Sequence, residues 1–150
     1  MSKIFLNIPE TIEDKIMELE VEEFSFVYRA IRHLGEFKPE DFYPYFDDPY
    51  KKSNNESMFS KGGMANIIAS QGGGIDMYSL SLFVNKKALK DVFWRRHKRD
   101  FPVIAIGHTD SNKGLAHLDN DSHVSYYLFD YKNEQKNPYK DFIKDECIDE

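Results

Sequence analysis

The chain has 150 residues, of which 41% are apolar and 15% aromatic, so it is long enough and apolar enough to bury a core. Its one cysteine, Cys147, excludes an internal disulfide and cysteine-rich zinc sites. The net charge of −6 argues against general nucleic-acid binding, because phosphate contacts need a basic surface. Apolar runs are far shorter than the ~18 residues of a membrane helix and no signal-peptide pattern is visible, so we expect a soluble, cytoplasmic protein.

The first half of the chain predicts a helix, a strand and a long loop. Apolar residues recur with helical spacing between Pro9 and Leu19, and a proline is well placed in a first helical turn. Phe24–Ile31 is aromatic and β-branched, which predicts a strand. Residues 47–62 are polar and rich in turn formers, which predicts a long loop. Gly72-Gly73-Gly74 is interpreted as a hinge, because no Gly-Lys-Ser/Thr ending of a phosphate loop follows it.

The second half predicts three strands and one helix. Ile75–Val84 and His123–Phe129 alternate as strands do, and Phe101–Ile106 has the continuous apolar character of a buried strand. Asn85 can cap a helix that runs to about His97. This order lacks regular βαβ alternation. We therefore predict a single α+β domain over residues 1–150, with a central, mostly antiparallel sheet on which the N-terminal helix and a basic helix pack.

The basic segment, Lys86–Arg99, is the main electrostatic feature of the sequence. It holds seven lysines and arginines and one acid, Asp91. Leu89, Val92 and Phe93 would form its apolar side, while Lys87, Lys90 and Lys98 should be exposed. With its aromatic residues, such a helix can bind RNA, an acidic protein or nucleotide phosphates. The alternative is a solvated helix face, and the overall negative charge makes RNA the weaker partner.

A group of histidines and aspartates suggests, but does not specify, a metal site. Imidazole and carboxylate together suit zinc, iron or manganese. The candidates are His108, Asp110, His117, Asp119, Asp121 and His123. Two of the pairs are four residues apart, but that spacing brings ligands to one face only within a helix. Since the sequence pattern of the segment predicts a turn and a strand, we favour an Asx-rich turn and expect no metal.

Nucleophilic catalysis finds little support in the sequence. The Gly-x-Ser-x-Gly elbow of serine hydrolases is missing. Cys147 lies among carboxylates, which raise the pKa of a thiol and oppose its activation. Serine-hydrolase and cysteine-protease activities are therefore disfavoured.

Four short segments, in this order, carry the only family resemblance in the chain. They are Tyr28-Arg29-Ala30 on an early strand, Tyr78–Phe83 on a middle strand, Lys113-Gly114-Leu115, and His123–Tyr127 on a late strand. This order resembles small bacterial and phage proteins of uncertain role. The arginine followed by Ser-x-Ser also resembles the core of ADP-ribosyltransferases.

The resemblance implies an NAD site. Arg29 would contact the NAD phosphate or ribose, and Ser79 or Ser81 would help to hold the nicotinamide ribose. We expect these side chains and His123 to line one concave site. The sequence departs from the family in lacking the glutamate of the late strand, which offers only Asp130 at its end.

These observations leave two functions open. The first is a domain that binds NAD or another nucleotide, as an effector in bacterial or phage conflict. The second is a non-enzymatic acidic module, such as an immunity protein or inhibitor, that neutralises a basic partner through residues 10–23 and 40–56.

Overall fold

The structure, a computed structural model, describes residues 5–6, 8–47 and 75–148. Within these ranges six strands form one antiparallel sheet. They are β1 (Val27–Ile31), β2 (Leu80–Phe83), β3 (Val103–Gly107), β4 (Gly114–Leu118), β5 (His123–Leu128) and β6 (Phe142–Cys147). Across the sheet the strand order is β4-β5-β2-β1-β3-β6, so β4 and β6 are the edges.

The N-terminal helix, α1 (Glu10–Met17), packs against residues of β4 and β5. Pro9 precedes it, and Glu10 and Glu13 in its first turn suit the positive end of the helix dipole. Its one fully buried residue, Ile16, packs in a cluster with Phe5, Ile8 and Tyr127.

The basic segment forms the second helical layer, with an irregularity that changes which residues it buries. It begins as α2 (Lys86–Leu89), passes through a π-helical turn (Lys90–Trp94) and ends as α3 (Arg95–His97). Because a π turn holds more residues than an α turn, it rotates the faces that follow. Trp94 is 7% exposed and packs with Leu89, whereas Val92 is 59% exposed. The prediction that Val92 lies on the apolar side is therefore wrong.

The opposite face of the sheet carries the larger core. It contains aliphatic residues of the central strands together with the aromatic side chains of Phe42, Tyr126, Tyr131 and Phe142. Phe42 belongs to a 3₁₀ turn, Pro39–Phe42, that packs onto this face. No helix in the described ranges is long and apolar enough to cross a membrane.

The predicted fold class is confirmed: an antiparallel sheet carries an N-terminal helix and a basic helix. Three details differ. Residues Ile75–Tyr78 form a 3₁₀ turn rather than the start of a strand, and β4 and β6 were not predicted. Most of the predicted 47–62 loop, and all of Gly72-Gly73-Gly74, lie outside the described residues.

A gap at the centre of the sheet positions the site. β1 pairs with β3 over its whole length, from Val27 opposite Gly107 to Ile31 opposite Val103. With β2, by contrast, β1 shares the single registered pair Tyr28–Phe83. The two strands separate beyond that pair, so the middle of the sheet is open where Arg29 and Ser81 lie.

Candidate functional site

A cavity of about 360 Å³ opens at the gap between β1 and β2. This volume lies in the range of small-molecule sites. Residues with polar side chains in its lining are Arg29, Arg32, Ser81 and His123, together with the tyrosines Tyr43 and Tyr45. The remaining lining is apolar, from Ala30, Phe83, Leu89, Val92, Phe93 and Phe101. We call this site the cleft.

Arg29 ties together the elements that meet at the cleft. Its Nε donates to the carbonyl oxygen of Asp41 at 3.0 Å, and its Nη1 donates to the carbonyl oxygen of Ser81 at 3.0 Å. The guanidinium carbon also lies 5.8 Å from the ring centroid of Phe42. Arg29 thus bridges β1 to β2 where ladder pairing has stopped. These two bonds fix the orientation of the guanidinium between the two elements.

Arg32, the next arginine along the chain, is held over an aromatic ring. Its guanidinium carbon lies 4.5 Å from the ring centroid of Phe101, within the distance of a cation–π interaction. Phe101 also meets Phe93 edge-on, with ring centroids 4.9 Å apart. One wall of the cleft therefore presents aromatic surface and positive charge side by side.

Ser81, His123 and Asp119 form a continuous chain of hydrogen bonds at the cleft. Ser81 Oγ lies 2.6 Å from His123 Nε2, and His123 Nδ1 lies 2.6 Å from Asp119 Oδ2. Ser125 Oγ donates to the same Asp119 oxygen at 2.5 Å. The rings of Phe83 and His123 pack edge to face, with centroids 5.3 Å apart. The imidazole is thus held by contacts on several sides.

The ionisation of the Asp119 carboxylate determines which atoms of this hydrogen-bonded chain carry protons. Burial raises the pKa of the Asp119 carboxyl, but hydrogen bonds from His123 and Ser125 outweigh it and hold the pKa below its usual value. Asp119 is therefore ionised at neutral pH and only accepts hydrogen bonds. In the neutral imidazole, Nδ1 must then carry the proton and Nε2 accepts. The Ser81 hydroxyl donates to Nε2, which leaves its oxygen lone pairs as acceptors.

The turn between β4 and β5 brings Asp119 and His123 together. The Asp119 amide donates to the His123 carbonyl oxygen at 2.9 Å, and Asn120 Oδ1 accepts from the amides of Ser122 and His123. This is the expected Asx-rich turn. The assumption that a four-residue spacing joins side chains only within a helix is wrong here, because a turn joining two strands joins them as well.

Three of the four predicted site residues meet at the cleft, namely Arg29, Ser81 and His123. The fourth, Ser79, is 2% exposed and is not among the described residues that line it. Sequence reasoning missed Arg32, which stands three residues after Arg29, and it considered Asp119 as part of a turn or as a metal ligand. In the described ranges no three histidine, cysteine, aspartate or glutamate side chains are grouped to hold a metal ion.

Within the described part of the chain, four of the seven basic side chains of the basic segment form ion pairs with carboxylates: Lys86, Lys87, Lys90 and Arg95. Lys86 Nζ lies 2.9 Å from Asp145 Oδ2, and Lys90 Nζ lies 2.7 Å from Glu146 Oε2. Lys87, 85% exposed, pairs with Asp91 at 2.8 Å. The prediction that Lys87 is exposed is confirmed, but Lys90 is only 28% exposed and was predicted wrongly.

No protein-family model, curated protein or solved structure matches the chain.

Proposed function

We propose that the cleft binds a nucleotide and that NAD is its ligand. The observation that supports this most is the meeting of Arg29, Ser81 and His123 at one cavity, although they lie far apart in the sequence. The resemblance assigns the first two of these side chains to NAD, and it implies an effector of bacterial or phage conflict as the setting for such a domain.

The cleft offers groups that match the parts of a dinucleotide. A guanidinium recognises phosphate oxygens by paired, charge-assisted hydrogen bonds, and both Arg29 and Arg32 line the cavity. Phe93 and Phe101 provide ring faces and edges against which a planar base packs. Charge and aromatic surface are adjacent here, as they are in a nucleotide.

Ser81 suits a ribose hydroxyl. When the His123 imidazole is neutral, the Ser81 hydroxyl donates to its Nε2, and the Ser81 oxygen is then an acceptor toward the cleft. A ribose hydroxyl would donate to that oxygen, and a hydroxyl on a strand adds no charge and moves little. This supports a ligand that carries both a diphosphate and a ribose, rather than an inorganic anion alone.

Titration calorimetry with NAD tests the proposal. NAD should bind the purified protein and should raise its Tm, because a ligand that binds only the folded state stabilises it. ADP-ribose should bind as well, since it keeps the diphosphate and the ribose next to it. Arg29→Lys keeps the charge but loses the fork of donors, so the Kd for NAD should rise about 10-fold or more.

Arg95→Lys is the matched control, because Arg95 is 70% exposed and pairs with Asp91 on the outer side of the basic segment. It should leave the Kd for NAD unchanged. If NAD, ADP-ribose, ATP and GTP at millimolar concentration all give neither heat nor a Tm shift with the folded protein, the proposal is overturned.

A further inference from the structure

The hydrogen-bonded chain of Ser81, His123 and Asp119 has an order with its own chemical meaning: hydroxyl, imidazole, carboxylate. We infer that Ser81 is a nucleophile for acyl transfer, that His123 is its general base, and that Asp119 is a positioning residue. The substrate class is a small carboxylic ester with an anionic group. This activity goes beyond nucleotide binding and does not depend on it.

The geometry meets the requirements for activating a hydroxyl. A general base must lie within about 2.6–3.2 Å of the atom whose proton it takes, and His123 Nε2 lies 2.6 Å from Ser81 Oγ. The base must in turn be oriented, and Asp119 lies 2.6 Å from His123 Nδ1. Ser81 is exposed although both of its neighbours on β2 are buried, so an acyl donor can reach its oxygen.

The protonation state of His123 also suits its role as a general base for Ser81. Ionised Asp119 keeps the proton on His123 Nδ1, which leaves Nε2 to accept the Ser81 proton. The opposite tautomer would place a proton between the two atoms that must exchange one. Ser125, which donates to the same carboxylate oxygen, holds Asp119 in place as the imidazole takes up positive charge.

The rest of the cleft suits an anionic ester. Arg29 donates to the main-chain carbonyl of Ser81 itself, so a cation lies beside the reacting residue, where negative charge would develop on the carbonyl oxygen of the ester. Arg32 adds a second positive charge over Phe101. The apolar walls formed by Phe83, Leu89 and Phe93 would hold an acyl chain or ring.

The reaction is a balanced acyl transfer followed by hydrolysis. Ser81 Oγ forms a bond to the ester carbonyl carbon, and its proton moves to His123 Nε2. The bond from that carbon to the leaving oxygen breaks, and His123 passes the proton to the departing alcohol. Water then attacks the acyl-serine, giving its proton to His123. The carboxylic acid leaves, and Ser81 recovers a proton.

An alkyl fluorophosphonate probe tests the nucleophile directly. Ser81 Oγ should displace fluoride, so the intact mass should increase by one phosphonyl group, and peptide mapping should place that group on Ser81. Hydrolysis of p-nitrophenyl hydrogen succinate should be faster than that of p-nitrophenyl acetate, because the first carries a carboxylate. Ser81→Ala should remove the labelling and lower kcat/KM for the succinate about 1,000-fold or more.

Three sets of variants distinguish a catalytic hydrogen-bonded chain from one that only stabilises the fold. His123→Gln should lose labelling as Ser81→Ala does, and the double variant should be no worse than either single variant, because the two groups act as a unit. Asp119→Asn should lower kcat and leave KM for the succinate unchanged, since Asn favours the wrong tautomer without touching the substrate. Ser111→Ala, at an exposed serine elsewhere, should behave as the unchanged protein.

Labelling of the wild-type protein tests whether Ser81 is a nucleophile without any variant. If protein with a cooperative thermal transition takes up no phosphonyl group at Ser81, the inference is overturned. Labelling that persists at the same rate in folded His123→Gln overturns it too. Because the probe contains no nucleotide, either result leaves NAD binding to be judged by its own titration.

Discussion

The cleft and the basic segment both carry cations, but the structure uses them differently. In the basic segment Lys86 and Lys90 meet Asp145 and Glu146 of β6, which are remote in sequence. At the cleft Arg29 donates to main-chain carbonyls and faces Phe42. The first arrangement places a negative charge against each positive one. The second holds a guanidinium against main-chain carbonyls beside a cavity.

This contrast shows what a run of charge in a sequence does and does not indicate. Seven bases in fourteen positions mark the basic segment, yet two of them, Lys86 and Lys90, bind the helix to an edge strand. Arg29 is the only charged residue between Phe24 and Ile31, and it faces the cavity. Charge density therefore pointed to the surface with structural ion pairs, whereas an isolated arginine on a strand marked the cleft.

The largest expected effect concerns the apolar underside of the basic segment. Trp94 is 7% exposed and its Nε1 donates to the carbonyl oxygen of Phe101 at 2.7 Å. Trp94→Ala should lower the free energy of unfolding by about 3–5 kcal/mol, by loss of burial and a cavity. Val92→Ala should cost less than about 1 kcal/mol, since Val92 is 59% exposed. If urea denaturation gave equal losses of unfolding free energy for the two variants, Trp94 would not be on the buried face of the basic segment.

A smaller loss is expected at the cleft. Arg29→Ala removes two charge-assisted hydrogen bonds that join β1 to β2 and to the 3₁₀ turn, where ladder pairing is confined to Tyr28–Phe83. The free energy of unfolding should fall by about 2–3 kcal/mol. Arg95→Ala, whose pair with Asp91 is exposed, should cost less than about 0.5 kcal/mol. If chemical denaturation gives Arg29→Ala the smaller loss, Arg29 does not bridge the gap.

The parts of the fold that the sequence revealed are the central ones. β1, β3 and β5 are recognisable because their apolar or alternating residues are buried against the core. The missed strands, β4 and β6, are the two edges of the sheet. Edge strands carry charged residues that obscure alternation, as Lys144, Asp145 and Glu146 do in β6. β6 also has an irregular register opposite Ile104 and Ala105.

Part of the candidate site could be predicted from the sequence. Short motifs selected Arg29, Ser81 and His123, and strand pairing brings the last two together, because Phe83 lies opposite His123 and Ser81 opposite Ser125. The role of Asp119 depended on the shape of one turn, which composition alone does not define. Serine-nucleophile chemistry was disfavoured because one sequence motif is missing. A hydroxyl–imidazole–carboxylate chain, however, is recognised by its geometry and not by a motif.

The smallest expected effect concerns the ion pair of Lys90 with Glu146. The hydrogen bond from Lys90 is the main reason that the pKa of Glu146 lies below its usual value. A carboxyl with a lowered folded-state pKa contributes stability above its unfolded pKa, about 4.3, and loses it as pH falls through the folded value. Lys90→Gln should therefore reduce the loss of unfolding free energy between about pH 5 and pH 3, by at most about 1 kcal/mol because the pair is partly exposed. Lys98→Gln, at an exposed position of the same segment, should leave the acid side of the profile unchanged. Urea denaturation at several pH values measures both. A profile for Lys90→Gln that coincides with that of the unchanged protein would show that the ionised form of Glu146 gains no stability from this lysine.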